Sequence, residues 1–300
     1  MGLLSGSLSV ARFTVAHREA PDFDVAAFRE IAPGSEVRES IGFVPFEIGA
    51  PWEVGAQRWA FRVRFDRIRP DATAVRERWK QLLASELEIS GARFLGAKKR
   101  RELKILAQEE LAFATSPRTK ILEAVIDRGV LYVASSARSQ LGLVTTLLRR
   151  IGVESAFKAP WVDRGYPDRA GELLASREPS DSPWGTEFLK ALVGDSEVPV
   201  EPEAGRAKLA FAGTRISLAG EVLADLMAYL ERGAEPISLR LSTGDRLFTL
   251  DGPSFRLSGA KLLAVQEAHW TELLDARLEQ VIELFDLLDR KFGELVKTAD

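Results

Sequence analysis

The chain reads as an α+β protein: antiparallel sheets with flanking helices, a protruding helical-hairpin tip and a long C-terminal helix. Three observations predict this. Strand-like and helix-like patterns follow one another without the regular β-α alternation of a doubly wound sheet. Two helical patterns, separated only by Ser90-Gly91 and Gly96, sit between two strand patterns, as a helical hairpin requires. Near the C-terminus, Leu274, Leu278, Val281, Phe285, Leu288, Phe292 and Leu295 repeat as an a/d seam that wants a helical partner.

From the N-terminus, "SLSVARFTVAH" (7–17) has the β-branched and aromatic content of a strand, and "DFDVAAFREIAPG" (22–34) reads as a short helix closed by Pro33-Gly34. "IGFVPFEIGAPWEVG" (41–55), broken by prolines and glycines, reads as a loop packing Phe43, Phe46 and Trp52 onto a core. "RWAFRVRFDRIR" (58–69) alternates strictly: Trp59, Phe61, Val63 and Phe65 face one way, Arg62, Arg64 and Asp66 the other. Residues 71–89 follow helical spacing with Asp71 as N-cap, and a second helix spans about 97–112 with the stripe Leu103, Leu106, Ala107 and Leu111. "ILEAVIDRGVLYVASS" (121–136) is strand, turn at Asp127-Arg128-Gly129, strand; residues 138–151 form an amphipathic helix ending at Gly152.

Residues 160–203, rich in Pro, Asp, Ser and Gly, read as a connection containing one short helix at 184–193. Strands follow at 208–211 and 215–218, then a helix at 221–232, a hairpin in "LRLSTGDRLFTL" and a strand near Phe255. At 300 residues, two or three units are expected. The boundaries place a central α+β domain at 1–70 and 119–160, a helical-hairpin tip at 71–118, and a second α+β domain with the C-terminal helix at 161–300.

Composition removes many chemistries. The absence of cysteine excludes disulfides, iron–sulfur clusters, thiolate zinc sites and cysteine nucleophiles. His17 and His269 are distant in sequence, leaving little for a histidine metal site or a serine triad. Phosphate-cradle, dinucleotide, nucleophile-elbow and zincin motifs do not occur, and no cofactor is expected. With no run of eighteen apolar residues and no signal-like N-terminus, the expectation is a soluble, cytoplasmic, unexported protein with no membrane partner.

One stretch stands against the formal net charge of -3: "GAKKRRELK" (96–104). Between residues 91 and 120, Arg93, Lys98, Lys99, Arg100, Arg101, Lys104, Arg118 and Lys120 face only Glu102, Glu109 and Glu110, a local +5 that leaves -8 elsewhere. Such segregation is the electrostatic footprint of a polyanion binder. Four cations at a helix start also oppose the helix macrodipole, so folding alone does not select them. Arg62 and Arg64, with Arg58, Arg67 and Arg69 nearby, form a ladder suited to a phosphate backbone, unless cross-strand ion pairs consume it. No helix presents Asn, Gln and Arg to base edges, so binding without sequence preference is expected.

The order of these features resembles the recombination-associated protein RdgC family: "GFVPF" (42–46), "RVRFDRIRP" (62–70), a helix, a Lys/Arg-rich helix, "VID" (125–127), "GVLYVASSA" (129–137) and "LLRRIG" (147–152). "WGTEFLKALV" (184–193) and "YLERGAEPISLRLS" (229–242) fit its second half more loosely. The resemblance implies a non-enzymatic, nucleoid-associated homodimer closed into a ring, through which duplex DNA passes, limiting loading of the RecA recombinase. It assigns Lys98, Lys99, Arg100, Arg101 and Lys104 to the tip that helps close the ring, and Arg64 to the family's strand-end arginine. Where the family has Leu-Leu-Pro-x-Ala-Phe, this chain reads Leu111-Ala112-Phe113-Ala114-Thr115-Ser116, so the exposed phenylalanine is absent or displaced to Phe113. Dimer contacts are expected from Phe113, and the C-terminal seam of Leu274, Leu278, Val281, Phe285 and Leu288 is expected either to supply further dimer contact or to lie on its own domain's core. Two alternatives remain from the residues: a metal-dependent nuclease using scattered carboxylates such as Glu109-Glu110 and Asp181 with Glu187, or a protein-binding scaffold acting through the heptad helix.

Overall fold

The computed structural model describes all residues except Met1, Pro33, Pro167, Ala175, Glu267, Ala268 and Asp300, and the side chains of Thr298 and Ala299. Its strands are β1 (Leu8–Ala16), β2 (Glu39–Val44), β3 (Glu53–Gly55), β4 (Arg58–Arg67), β5 (Arg118–Asp127), β6 (Val130–Val133), β7 (Glu154–Phe157), β8 (Gly205–Phe211), β9 (Thr214–Gly220), β10 (Glu235–Thr243), β11 (Arg246–Asp251) and β12 (Arg256–Lys261). Its helices are α1 (Ala72–Ser90), α2 (Ala97–Phe113), α3 (Arg138–Arg150), α4 (Ala170–Leu173), α5 (Pro183–Leu192), α6 (Leu223–Glu231) and α7 (Trp270–Ala299). The strands join in one antiparallel sheet with the order β2-β4-β5-β6-β1-β12-β11-β10-β8-β9; β3 pairs with β4 and β7 with β1. The α+β class and the long C-terminal helix are therefore as expected.

The chain divides into two compact units, one comprising Met1–Val25, Pro45–Phe61 and Leu122–Asp300, the other Ala26–Val44 and Arg62–Ile121. Strands β4 and β5 contribute to both. The sequence-read boundary at 160/161 separates nothing: Val125, Tyr132, Trp161, Phe188, Leu239 and Phe285 belong to one core. Residues 160–203 are accordingly not a linker, because Trp161, Phe188, Leu189 and Val198 are buried there.

In the larger unit, β8, β10, β11 and β12 point Ala207, Leu209, Leu239, Leu241, Leu250 and Leu257 into this core, with α5 and α7 supplying the apolar cover. The backbone of α5 approaches the β11–β12 turn so closely that a Cβ on Gly185 would lie 2.3 Å from the Gly252 carbonyl oxygen, so glycine is required at 185. The α7 seam faces inward: Leu274, Leu278, Val281, Phe285 and Leu288 are all fully buried. Their expected role as dimer contacts is corrected on that ground, since the helical partner the seam lacked is the chain's own sheet and α5. A buried Arg12 braces α7, pairing with Asp289 and lying 4.5 Å from the centroid of the Phe285 ring.

The smaller unit holds the helix pair. Asp71 caps α1 by accepting from the Thr73 and Ala74 amides at 2.9 and 3.0 Å, and Gly91 ends it in the left-handed region at φ 62°. The helix expected at 22–34 is reduced to a 3-10 turn at Phe23–Ala26, with Pro33 outside the described residues. Tertiary pairing overrides helical propensity there: the Phe28 amide donates to the Phe43 carbonyl at 2.9 Å, drawing the chain against β2. That approach explains Gly42, where a Cβ would lie 2.3 Å from the Phe28 Cα. The first part of the expected aromatic loop is thus strand β2, while Phe46, in the larger unit, stacks on Trp270 with ring centroids 5.3 Å apart.

Candidate nucleic-acid interface

The cationic start of α2 is exposed, as a docking surface for a polyanion demands. Lys98, Arg100, Arg101 and Lys104 are solvent-exposed; Lys98 and Arg101 have no ion-pair partner among the described residues, and Arg100 and Lys104 lie near the Trp79 ring. Lys99 is the exception, pairing across the hairpin with Glu86 at 2.8 Å, which raises its pKa through that hydrogen bond. Arg78 on α1 likewise ties Glu110 on α2 at 2.6 Å, and the same bond lowers the Glu110 pKa. These two bridges hold the helices together. Among the described residues they leave, along α1, α2 and their connection, seven cations (Arg76, Lys80, Arg93, Lys98, Arg100, Arg101, Lys104) and four carboxylates without an ion pair. Arg118 and Lys120, two residues apart at the exposed start of β5, add two more cations to the same unit.

The arginine ladder on β4 is largely consumed by ion pairs. Arg64 grips Asp66 with two hydrogen bonds, Nε–Oδ1 3.0 Å and Nη2–Oδ2 2.7 Å, and its guanidinium lies 4.4 Å from the Phe28 centroid. Burial alone would raise the Asp66 pKa; hydrogen bonds from Arg64 and Thr119 overcome it and lower the value. A buried carboxylate two residues along the same strand face needs this countercharge, which assigns Arg64 to the fold. Arg67 pairs with Glu39 across β2 and β4 at 2.9 Å, and Arg58 is shared by Asp127 at 2.7 Å and Asp275 at 2.6 Å. Arg62 is half-buried. The ladder is thus corrected from a phosphate track to a set of ion pairs, with Arg69 left exposed and without an ion-pair partner among the described residues.

Sequence reading missed a second basic concavity, in the larger unit. Strands β8 to β12 are amphipathic, and their outward face carries a cavity of about 410 Å³ lined by Arg177, Arg206, Lys208, Arg215 and Arg256, with Ser217, Ser238, Thr249 and Ser258 as hydroxyl donors. Register assembles it: Lys208 lies opposite both Ser217 and Ser238, and Ala210 opposite Arg215. Arg256 is pinned by the Ser136 carbonyl and Asp251, and Arg215 by Glu178. Arg177, Arg206 and Lys208 are exposed and, among the described residues, have no ion-pair partner. The signal was present as Arg206-Ala207-Lys208-Leu209, a two-residue period that puts both cations on one face of β8, while Arg215, Ser217 and Ser238 join them only through strand pairing.

The expected dimer residue Phe113 ends α2 at 51% exposure, beneath the Arg38 guanidinium at 4.8 Å. It lines a groove of about 580 Å³ with Ile68 and Ile105. Phe94, 83% exposed in the α1–α2 connection, was not anticipated. Of the carboxylates raised for a nuclease, Glu110 is tied to Arg78 and Asp181 accepts from the Ser176 hydroxyl. Among the described residues no group of three His, Asp or Glu is arranged to hold a metal ion, and no helix is long and apolar enough to cross a membrane. No family model and no curated protein matches this chain.

Proposed function

We propose that the protein binds DNA without sequence preference, acting as a cytoplasmic, nucleoid-associated homodimer of RdgC-like character that encloses duplex DNA and restrains RecA-dependent recombination. The observation that carries the DNA-binding part is charge segregation: a chain of net charge -3 exposes, on the helix pair and on the outer face of β8, cations without an ion pair among the described residues. Phosphate contacts of this kind position a duplex without reading it. Ring closure and antagonism of RecA rest on the resemblance, for which the half-exposed Phe113, in a groove of mixed polar and apolar lining, supplies a candidate contact.

The test is charge reversal on each surface separately, Lys98→Glu/Arg101→Glu and Arg206→Glu/Lys208→Glu, with duplex binding read by fluorescence anisotropy and mass by light scattering. Each pair is expected to weaken binding to unrelated duplexes equally while the protein stays dimeric. Undiminished affinity in both variants would reject the assignment. Shortening of linear DNA in the presence of Mg²⁺ would instead favour the nuclease.

A further inference from the structure

We infer that the cleft at the base of the helix pair takes an unpaired nucleobase of a single-stranded nucleic acid, with Trp79 as its stacking wall and Arg69, Arg76 and Lys104 as its phosphate contacts. The inference rests on the nucleic-acid reading above and deepens it by naming a strand state that the basic surfaces alone do not select.

The cleft has a volume of about 330 Å³, at the small end of ligand sites, and two helices build it. Ala72, Val75, Arg76 and Trp79 lie on one face of α1, and Lys104 and Gln108 lie one turn apart on α2. Its interior is apolar and its rim cationic; Arg69, Arg76 and Lys104 are all exposed and none has an ion-pair partner among the described residues. An apolar hollow does not by itself attract a polyanion, and rim cations by themselves stay hydrated. Together they match an aromatic ring carried on a phosphate, the unit that single-strand-binding grooves recognise. Trp79 is held in place because its indole N–H donates to the Arg100 carbonyl at 3.0 Å, and the Arg100 guanidinium lies 5.8 Å from the ring centroid. Gln108 offers an amide donor and acceptor of the kind a base edge pairs with. A base stacked and paired within a duplex cannot reach such a wall, so the cleft discriminates strand state. Its rim is continuous along α2 with the unpaired cations Lys98, Arg100 and Arg101, which favours a phosphodiester strand over an acidic peptide.

The test compares the full-length protein with Trp79→Ala, Trp79→Phe and Ala72→Trp, the last filling the cleft from an exposed helix position. Anisotropy is measured for a thymidine oligomer of about twelve nucleotides, for a duplex, and for free thymidine monophosphate in competition, with thermal melts to confirm folding. Trp79→Ala and Ala72→Trp are expected to lower single-strand affinity about tenfold, as loss of one stacked base does. Duplex affinity should stay within about twofold, Trp79→Phe should keep most of the binding, and a bromodeoxyuridine-containing strand should photocrosslink to the Trp79 peptide. Unchanged single-strand affinity in Trp79→Ala and Ala72→Trp, with wild-type DNA binding intact, overturns the cleft assignment and leaves the DNA reading standing. Equal losses for single strand and duplex overturn base stacking, and competition by the mononucleotide at the strand's own affinity overturns the strand assignment. A wild-type protein that binds no nucleic acid, but does bind an acidic aromatic peptide, removes both readings.

Discussion

The salt dependence of DNA binding gives the α2 cluster a number. Replacing Lys98, Arg100 and Arg101 by Ala removes three exposed cations that make no ion pair among the described residues. Each phosphate neutralised contributes about 0.9 to the slope of log affinity against log salt, so three lost contacts flatten that slope by about 2.7. Lys99 serves as the internal control, since its charge is already shared with Glu86 at 2.8 Å. Lys99→Ala should flatten the slope by less than any of the three others and should lower thermal stability slightly, because it breaks an interhelical tie of the surface kind, worth at most about 1 kcal/mol. The assay is anisotropy of a labelled duplex across a salt series, with thermal melts alongside. A triple variant with the wild-type slope would refute the argument that these side chains meet phosphate, whatever its absolute affinity.

Other consequences concern the fold that carries the surfaces. Phe285→Ala should cost about 3–5 kcal/mol by opening a cavity in the core, seen as a lower unfolding midpoint in denaturant; a folded monomer of unchanged stability would restore the seam to a dimer role. Gly42→Ala should destabilise by about 1–3 kcal/mol, because the added methyl meets Phe28 backbone at 2.3 Å, and a neutral melt would contradict that close approach. The Asp66 carboxylate has a folded-state pKa below its unfolded value of about 3.9, so its contribution is present above that pH and lost as pH falls through the folded value. Acid titration of stability should therefore show a loss below about pH 4 that Asp66→Asn lacks; identical acid profiles would contradict the assignment.

Local patterns made most elements legible. The Asp71 cap, the Gly91 stop and the turn at Arg128-Gly129 are written in residues that act on their own backbone, and each expected element nearby is present. What failed was long-range. The chain at 26–28 carries helical spacing but is captured by β2, a partner fifteen residues on that no local window reveals. The α7 heptads were correctly periodic, yet periodicity states only that one face is covered and not by which chain. Charge behaved the same way. The α2 cluster was visible because its cations are adjacent, whereas the concavity around Arg206 and Lys208 gains Arg215, Ser217 and Ser238 only by pairing of β8 with β9 and β10. The β4 arginines were visible too, and their carboxylate partners Asp66, Glu39, Asp127 and Asp275 decided their role.

The most direct measurement is the affinity of the wild-type protein for two duplexes of unrelated sequence at about 50 and 200 mM salt. With about six phosphates neutralised, both duplexes should bind equally and weaken together by roughly a thousandfold over that range. Affinity that differs sharply between the two sequences, or that ignores salt, would contradict the account.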